Sequence, residues 1–295
     1  MVDLGQFPFA GVCPAAAAPG IAALRLSELA AGMSAEDLRR PRCGAYHVLM
    51  LVAMGHGRHA VDFVEYACRP GTVLWGRPGQ VHQFSGQPGF DATLLVFTPD
   101  LLAPGRALAP LLDDPTAPVC WLPTGEDEDA IIAEVTQLTT DCARFPTGDP
   151  VGMELLRHQL AVLLTRVAAL SRADAPGVPV GEVMTWFRRE IEASFTRTRR
   201  VEDYAAQLGY SVRTLTRACL AATGCSAKQV LDARVALEAK RLLGCSEIPV
   251  AQIGRRLGFP EPTNFGRFFL RETGQTPGDF RAAHAVPSPR KAADR

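Results

Sequence analysis

Residues 250–274, VAQIGRRLGFPEPTNFGRFFLRETG, read as two short helices around a tight turn. Apolar residues recur at helical spacing through Ile253 and Leu257, then through Phe265 and Phe269. Gly258 allows the sharp reversal between them, Phe259 anchors it, and Pro262 suits the first turn of the second helix. Thr273-Gly274 closes the unit. The same layout occurs about fifty residues upstream. Leu208-Gly209-Tyr210 matches Leu257-Gly258-Phe259, Leu215 matches Phe265, Arg217 matches Arg267, Thr223-Gly224 matches Thr273-Gly274 and Ser226 matches Thr276. Further upstream Val201 matches Val250 and Ala205 matches Gly254, small residues where two helices must approach closely. Ser211 is a good N-cap for the second helix of this copy, and Tyr210 is expected to anchor its turn as Phe259 does. Self-similarity of this length marks an internal repeat of helix-turn-helix units, over about 201–222 and 250–273.

The second helix of such a unit enters the major groove, so its outward face matters most. With Leu215 and Cys219 turned inward, Arg213, Thr216 and Arg217 point outward. With Phe265 and Phe269 inward, Thr263, Asn264 and Arg267 do so. Arg pairs bidentately with guanine, Asn with adenine, and Thr meets a thymine methyl or a phosphate. Arg217 and Arg267 occupy the same position in both copies, which fits a phosphate contact or an internal bond as well as base readout. A helix over 227–243, carrying Val230, Leu231, Val235, Leu237, Leu242 and Leu243, joins the copies. At roughly 25 Å it can hold two readers at successive groove segments, about 34 Å apart.

The charge distribution agrees. The 295-residue chain has a net charge of +0, but residues 181–295 hold 19 Lys+Arg against 12 Asp+Glu, whereas residues 1–180 hold 12 against 19. Only the C-terminal half is suited to a polyanion. Residues 171–181, with Pro176, Gly177 and Pro179, read as a linker, and 285–295 as a disordered tail. The domain boundaries expected are therefore 1–170, a linker, and 182–284.

The N-terminal half has strand-like runs at 47–54, 71–75 and 90–97 separated by Gly and Pro, the pattern of a small antiparallel barrel or sandwich over about 43–98. Helices are expected over about 128–144, beginning in acidic residues, and about 152–171. In the latter, Met153, Leu156, Leu160, Leu163, Val167 and Leu170 recur at the coiled-coil period; they form a homodimer seam or cover their own domain. The eight cysteines include no Cys-x-x-Cys pair and read as buried small residues. No signal peptide or membrane-length apolar run is seen, which places the protein in the cytoplasm and away from membranes. There is no Gly-x-Ser-x-Gly, phosphate-binding loop or His/carboxylate cluster, so no enzyme and no cofactor are expected.

The C-terminal residues resemble the AraC/XylS family of bacterial transcription regulators. The match runs through Ile253, Leu257-Gly258-Phe259, Phe265, Arg267, Phe269, Gly274, Thr276-Pro277 and Phe280-Arg281. In the first copy it runs through Ala205, Leu208, Ser211, Leu215, Arg217, Gly224, Arg234, Ala239 and Leu242-Leu243. Cys219 stands where the family has an aromatic and Phe280 where it has Tyr, both at inward packing positions. The resemblance implies an α+β protein: an N-terminal cupin-like barrel with flanking helices for effector binding and dimerisation, then an all-α domain of two helix-turn-helix motifs on a long helix. It implies a transcription regulator, an activator or a repressor, whose partners are promoter DNA, a small-molecule effector and RNA polymerase. It places the base-reading positions on Arg213, Thr216, Arg217, Thr263, Asn264 and Arg267. Gly71-x6-Pro78-Gly79-Gln80-Val81-His82 looks like a second cupin motif. The first cupin motif is absent, His56 and His59 lying three apart on a Gly-rich turn, so no metal is expected. Candidates for an organic-effector pocket are Tyr46, His47, Trp75, His82 and Trp121.

Overall fold

The computed structural model describes residues 20–284, apart from 32, 85–86, 103–107, 109–110, 113–116, 146–147 and 174–180. The chain divides into two compact units at Pro176/Gly177. The tail expected over 285–295, and most of the expected linker, lie outside the described residues; Ser171 itself still belongs to a helix.

In the first unit two antiparallel sheets face each other. Strands β1 (Ile21–Arg25), β3 (His47–Met54), β6 (Val73–Gly76), β8 (Asp91–Phe97) and β9 (Cys120–Trp121) form one sheet, in the order β1-β8-β3-β6-β9. Strands β2 (Arg42–Cys43), β4 (Gly57–Val61), β5 (Val64–Cys68) and β7 (Val81–Phe84) form the other, in the order β2-β7-β4-β5. The three strands read from the sequence are present, but the expected span of 43–98 is too short: β1 and β9 lie outside it. β1 pairs with β8 in register Ile21↔Phe97, so a strand from before the span completes one edge. The β4–β5 hairpin turns on Asp62 and Phe63, both at positive φ (51° and 65°), a primed two-residue turn without the usual glycine. Asp62 supports the turn by accepting hydrogen bonds from the Val81 N–H (3.1 Å) and Gln80 Nε2 (2.8 Å).

Because strand side chains alternate, β3, β6 and β8 feed two separate cores. Val48, Met50, Val52, Leu74, Leu94 and Val96 pack between the sheets with Val61 and Phe84, beneath the short helices α1 (Leu26–Ala31) and α2 (Ala35–Arg39). Leu49, Leu51, Val73, Trp75, Leu95 and Phe97 face the other way, against two long helices, α3 (Glu126–Arg144) and α4 (Pro150–Ala173). Near-continuous apolar runs such as HVLMLVAM arise because both faces of the sheet are covered.

This settles the question of the seam on α4. Leu156, Leu160, Leu163 and Val167 are buried against the sheet and α3, with Met153 and Leu170 packed beside them. The heptad-spaced stripe is therefore core of its own unit, and the expected homodimer contact through it is corrected. Asp141 of α3, itself buried, accepts from Gln137 Nε2 (2.8 Å) and from Gln159 Nε2 of α4 (2.7 Å), pinning the two helices together.

The described part of the second unit is wholly helical: α5 (Glu182–Ser194), α6 (Val201–Leu208), α7 (Val212–Thr223), α8 (Ala227–Cys245), α9 (Val250–Arg256), α10 (Pro262–Thr273) and α11 (Pro277–His284). Ser211 caps α7, its Oγ accepting from the Thr214 N–H, and Pro262 opens α10. Ser226 and Gln229 form a capping box at the start of α8.

Candidate nucleic-acid interface and ligand site

Helices α6–α7 and α9–α10 are the two helix-turn-helix units. Gly209 takes the left-handed conformation (φ 70°) that lets α6 reverse into α7. Ala205 is buried where α6 meets α7. In the second copy a Cβ on Gly254 would lie 3.0 Å from the Cβ of Phe265, so the smaller residue accommodates the larger ring. Leu215 and Cys219, like Phe265 and Phe269, are fully buried. Cys219 compensates for its size by packing its Sγ 3.5 Å from Met184 Sδ of α5. Phe280, the other departure from the family pattern, is buried edge-on to Phe269.

The turn aromatics differ between copies. Phe259 is 2% exposed and packs on Phe265 and Phe268, whereas Tyr210 is 38% exposed. The expectation that Tyr210 anchors its turn is thus wrong. Tyr204, six residues earlier in α6, is fully buried instead, edge-on to Phe187 of α5, with its hydroxyl donating to the Thr198 carbonyl at 2.9 Å, so it ties α6 to the segment before it.

The structure gathers the sequence-derived DNA-contact residues on the outer faces of α7 and α10. Arg213, Arg217, Thr263, Asn264 and Arg267 are exposed, and Thr216 is half-buried. Arg213, Arg217 and Arg267 make no hydrogen bond or ion pair among the described residues. An internal bond therefore does not explain the repeated arginine. Other cations of the unit are committed internally. Arg234 binds Glu192 of α5 (2.6 Å) and Glu238 (3.0 Å) and lies over the Phe195 ring. Arg281 Nη2 donates to the Ile248 carbonyl at 2.6 Å.

The five effector candidates do not share one face. His47, Trp75 and Trp121 belong to the helix-facing side: the His47 ring stacks on Phe97, Trp75 Nε1 donates to His47 Nδ1 (3.2 Å), and Trp121 Nε1 donates to Ser171 Oγ of α4 (2.8 Å). Tyr46 and His82 belong to the space between the sheets. There His82 meets a residue the sequence reading left on a turn: His59 lies in β4, buried, with its Nε2 3.1 Å from His82 Nδ1. The alternation of β4 against β7 brings the two rings together, and no local motif signals it. Burial holds both imidazoles below their ordinary range, His82 down to about 4. Burial, aided by the Arg77 guanidinium, holds His47 down to about 3. A Cβ on Gly76 would lie 2.0 Å from His82 Cε1 and Nε2, so the imidazole occupies the space that glycine leaves.

Among the described residues no group of three or more His, Cys, Asp or Glu is placed to hold a metal ion. The seven described cysteines are free thiols. Burial pushes Cys68, Cys120, Cys142 and Cys219 up to about 11, which makes them poor nucleophiles. Among the described residues no helix is long and apolar enough to cross a membrane.

Known proteins agree with this organisation. Residues 27–137 match the AraC-like ligand binding domain, and residues 204–283 match a helix-turn-helix domain family. The transcriptional activator RhaS of Klebsiella pneumoniae is 25% identical over 240 residues, 80% of this chain and 85% of that one. The arabinose operon regulatory protein of Escherichia coli is 25% identical over 242 residues, 80% of each chain. ToxT of Vibrio cholerae, a solved structure, aligns over 90% of this chain and 98% of its own at 12% identity and a TM-score of 0.46, too loose a likeness to carry detail. A ligand-binding unit built on two sheets, followed by paired helix-turn-helix units that present unpartnered arginines, makes this chain a member of the AraC family of transcription regulators.

Proposed function

We propose that α7 and α10 read two adjacent major-groove segments of one promoter duplex, with Arg213, Thr216 and Arg217 in the first and Thr263, Asn264 and Arg267 in the second. The observation that carries this is the pair of exposed, internally unpartnered faces on two helices whose opposite faces are fully buried. The readers are unequal, two arginines and a threonine against Thr, Asn and Arg, so the recognised site is asymmetric within each protomer. The test is selection of the full-length chain on a randomised duplex pool. Two different enriched blocks are expected. A single block, or no enrichment, overturns the assignment.

The activity is regulation and not catalysis, and it is exerted in the cytoplasm of a bacterium, where promoter DNA and RNA polymerase are found. The related activators support contact with polymerase as a further proposal. For the effector, the polar and aromatic groups between the sheets, Tyr46 and His82 with His59, are the better-placed set, while His47, Trp75 and Trp121 brace the sheet against its helices. A thermal-shift screen of sugars and organic acids on the full chain tests this. A compound that raises the melting temperature of the wild type but not of His82→Gln supports it; a shift equal in both rejects it. Homodimerisation is retained on different residues. With the leucine seam used internally, a second copy would meet the opposite side of α4, where Val151, Leu155 and Val162 are exposed. Light scattering on Leu155→Lys checks this: an unchanged oligomer removes that face.

A further inference from the structure

The two helix-turn-helix units touch each other directly as well as through α8. Gly258, in the turn of the second unit, has φ +76°, and a Cβ there would lie 2.8 Å from the Thr196 carbonyl oxygen. The turn is thus pressed against the segment that leads from α5 into α6, the first helix of the other unit. Arg199 in that segment reaches across. Its guanidinium carbon lies 3.5 Å from the centroid of the Phe259 ring, and its Nη2 donates to the Gly258 carbonyl at 3.4 Å. The Arg199 carbonyl in turn accepts from Lys228 Nζ of α8 (3.2 Å), and Lys228 pairs with Asp232 at 2.6 Å. Asp232 is buried, and its second oxygen accepts from Arg271 Nη2 of α10 at 3.2 Å. A continuous chain of contacts runs from the entry to the first unit, through the shared helix, into the second recognition helix.

We propose that Arg199 is a positioning residue that fixes the distance and angle between the two readers, and so determines how many base pairs separate the two blocks of a preferred site. This rests on the reading that both recognition helices engage one duplex. Packing on α8 alone is mostly apolar and non-directional, and it tolerates small rolls of one unit against the other. A planar guanidinium stacked on a ring and bonded to a neighbouring carbonyl is directional. The demand on it is real: inserting one base pair moves the second groove segment by about 3.4 Å and turns it by about 35°. A pair of readers held rigidly pays for that mismatch, whereas a loosened pair follows it.

The experiment uses the full-length chain as wild type, Arg199→Ala and Arg199→Lys. Blocks are first selected by the wild type from randomised duplex. Affinities are then measured for the preferred duplex, for duplexes with one base pair added or removed between the blocks, and for duplexes carrying one block alone. Arg199→Ala is expected to keep single-block affinity within about twofold while its preference for the native spacing falls about three- to tenfold, with Arg199→Lys between. Far-UV dichroism with unchanged helicity shows that the variants are folded. Two blocks with an unchanged spacing preference in Arg199→Ala overturn the proposal alone. Loss of single-block affinity overturns it too, since Arg199 would then be a DNA contact or a folding residue. A wild-type pool with only one block removes the two-reader reading on which it rests.

Discussion

At the residue level the outward faces of α7 and α10 carry side chains that the fold itself does not use. The side chains of Arg213 and Asn264 make no hydrogen bond or ion pair among the described residues, so their removal leaves the helices intact. Each of Arg213→Ala and Asn264→Ala is expected to weaken binding to the selected duplex by about 1–3 kcal/mol and to relax preference at one base pair, read by competition with substituted duplexes. The buried histidines act on stability. His59, His82 and His47 are neutral in the folded unit because burial disfavours their charged forms. Their folded values lie below the unfolded one, so the stability they permit is complete above about pH 6.5 and is lost as pH falls toward the folded values of about 4 and about 3. Urea unfolding of the full chain should show stability falling as pH drops from about 6.5 toward these values, by at most about 1.4 kcal/mol per pH unit each for His47 and His82, and replacing one of them by Gln should flatten the slope. Gly76→Ala forces the His82 ring to move, and a loss of about 1–3 kcal/mol in the same assay is expected.

At the level of elements, α4 shows how a period can be read correctly and its partner wrongly. The 3-4-3-4 spacing of Leu156, Leu160, Leu163 and Val167 describes a stripe, and a stripe packs as well on a sheet and a neighbouring helix as on a second copy. Leu160→Ala is therefore expected to cost about 2–5 kcal/mol of stability in denaturant unfolding, independent of protein concentration; a concentration-dependent loss would restore the dimer seam. The hairpin of β4 and β5 escaped the sequence because Asp62-Phe63 lacks the glycine that marks such turns, its positive φ values being supported by the distant Gln80 and Val81. The turn aromatics diverged for a similar reason. Tyr210 and Phe259 match in the repeat, yet Phe259 packs on Phe265 and Phe268 with Arg199 over its ring, while Tyr210 stays 38% exposed.

At the level of the whole molecule, the charge is divided so that net neutrality coexists with a basic DNA-binding half of 19 Lys+Arg against 12 Asp+Glu. Binding should weaken steeply with salt, the logarithm of affinity falling linearly with the logarithm of concentration, and Arg217→Ala should lower that slope by about one if it meets a phosphate. The paired helix-turn-helix units, their inward and outward faces, the long joining helix and the sheet-then-helix order are all legible in the amino-acid sequence. These follow from local periodicity, caps and an internal repeat, all carried by neighbouring residues. Folding in three dimensions alone makes the α4 stripe core, brings His59 to His82, divides the effector candidates between the space between the sheets and the helix-facing side, and sets Arg199 against the second helix-turn-helix unit. Each of these joins residues far apart in the chain, and such contacts depend on which faces meet after folding, about which local spacing carries no information.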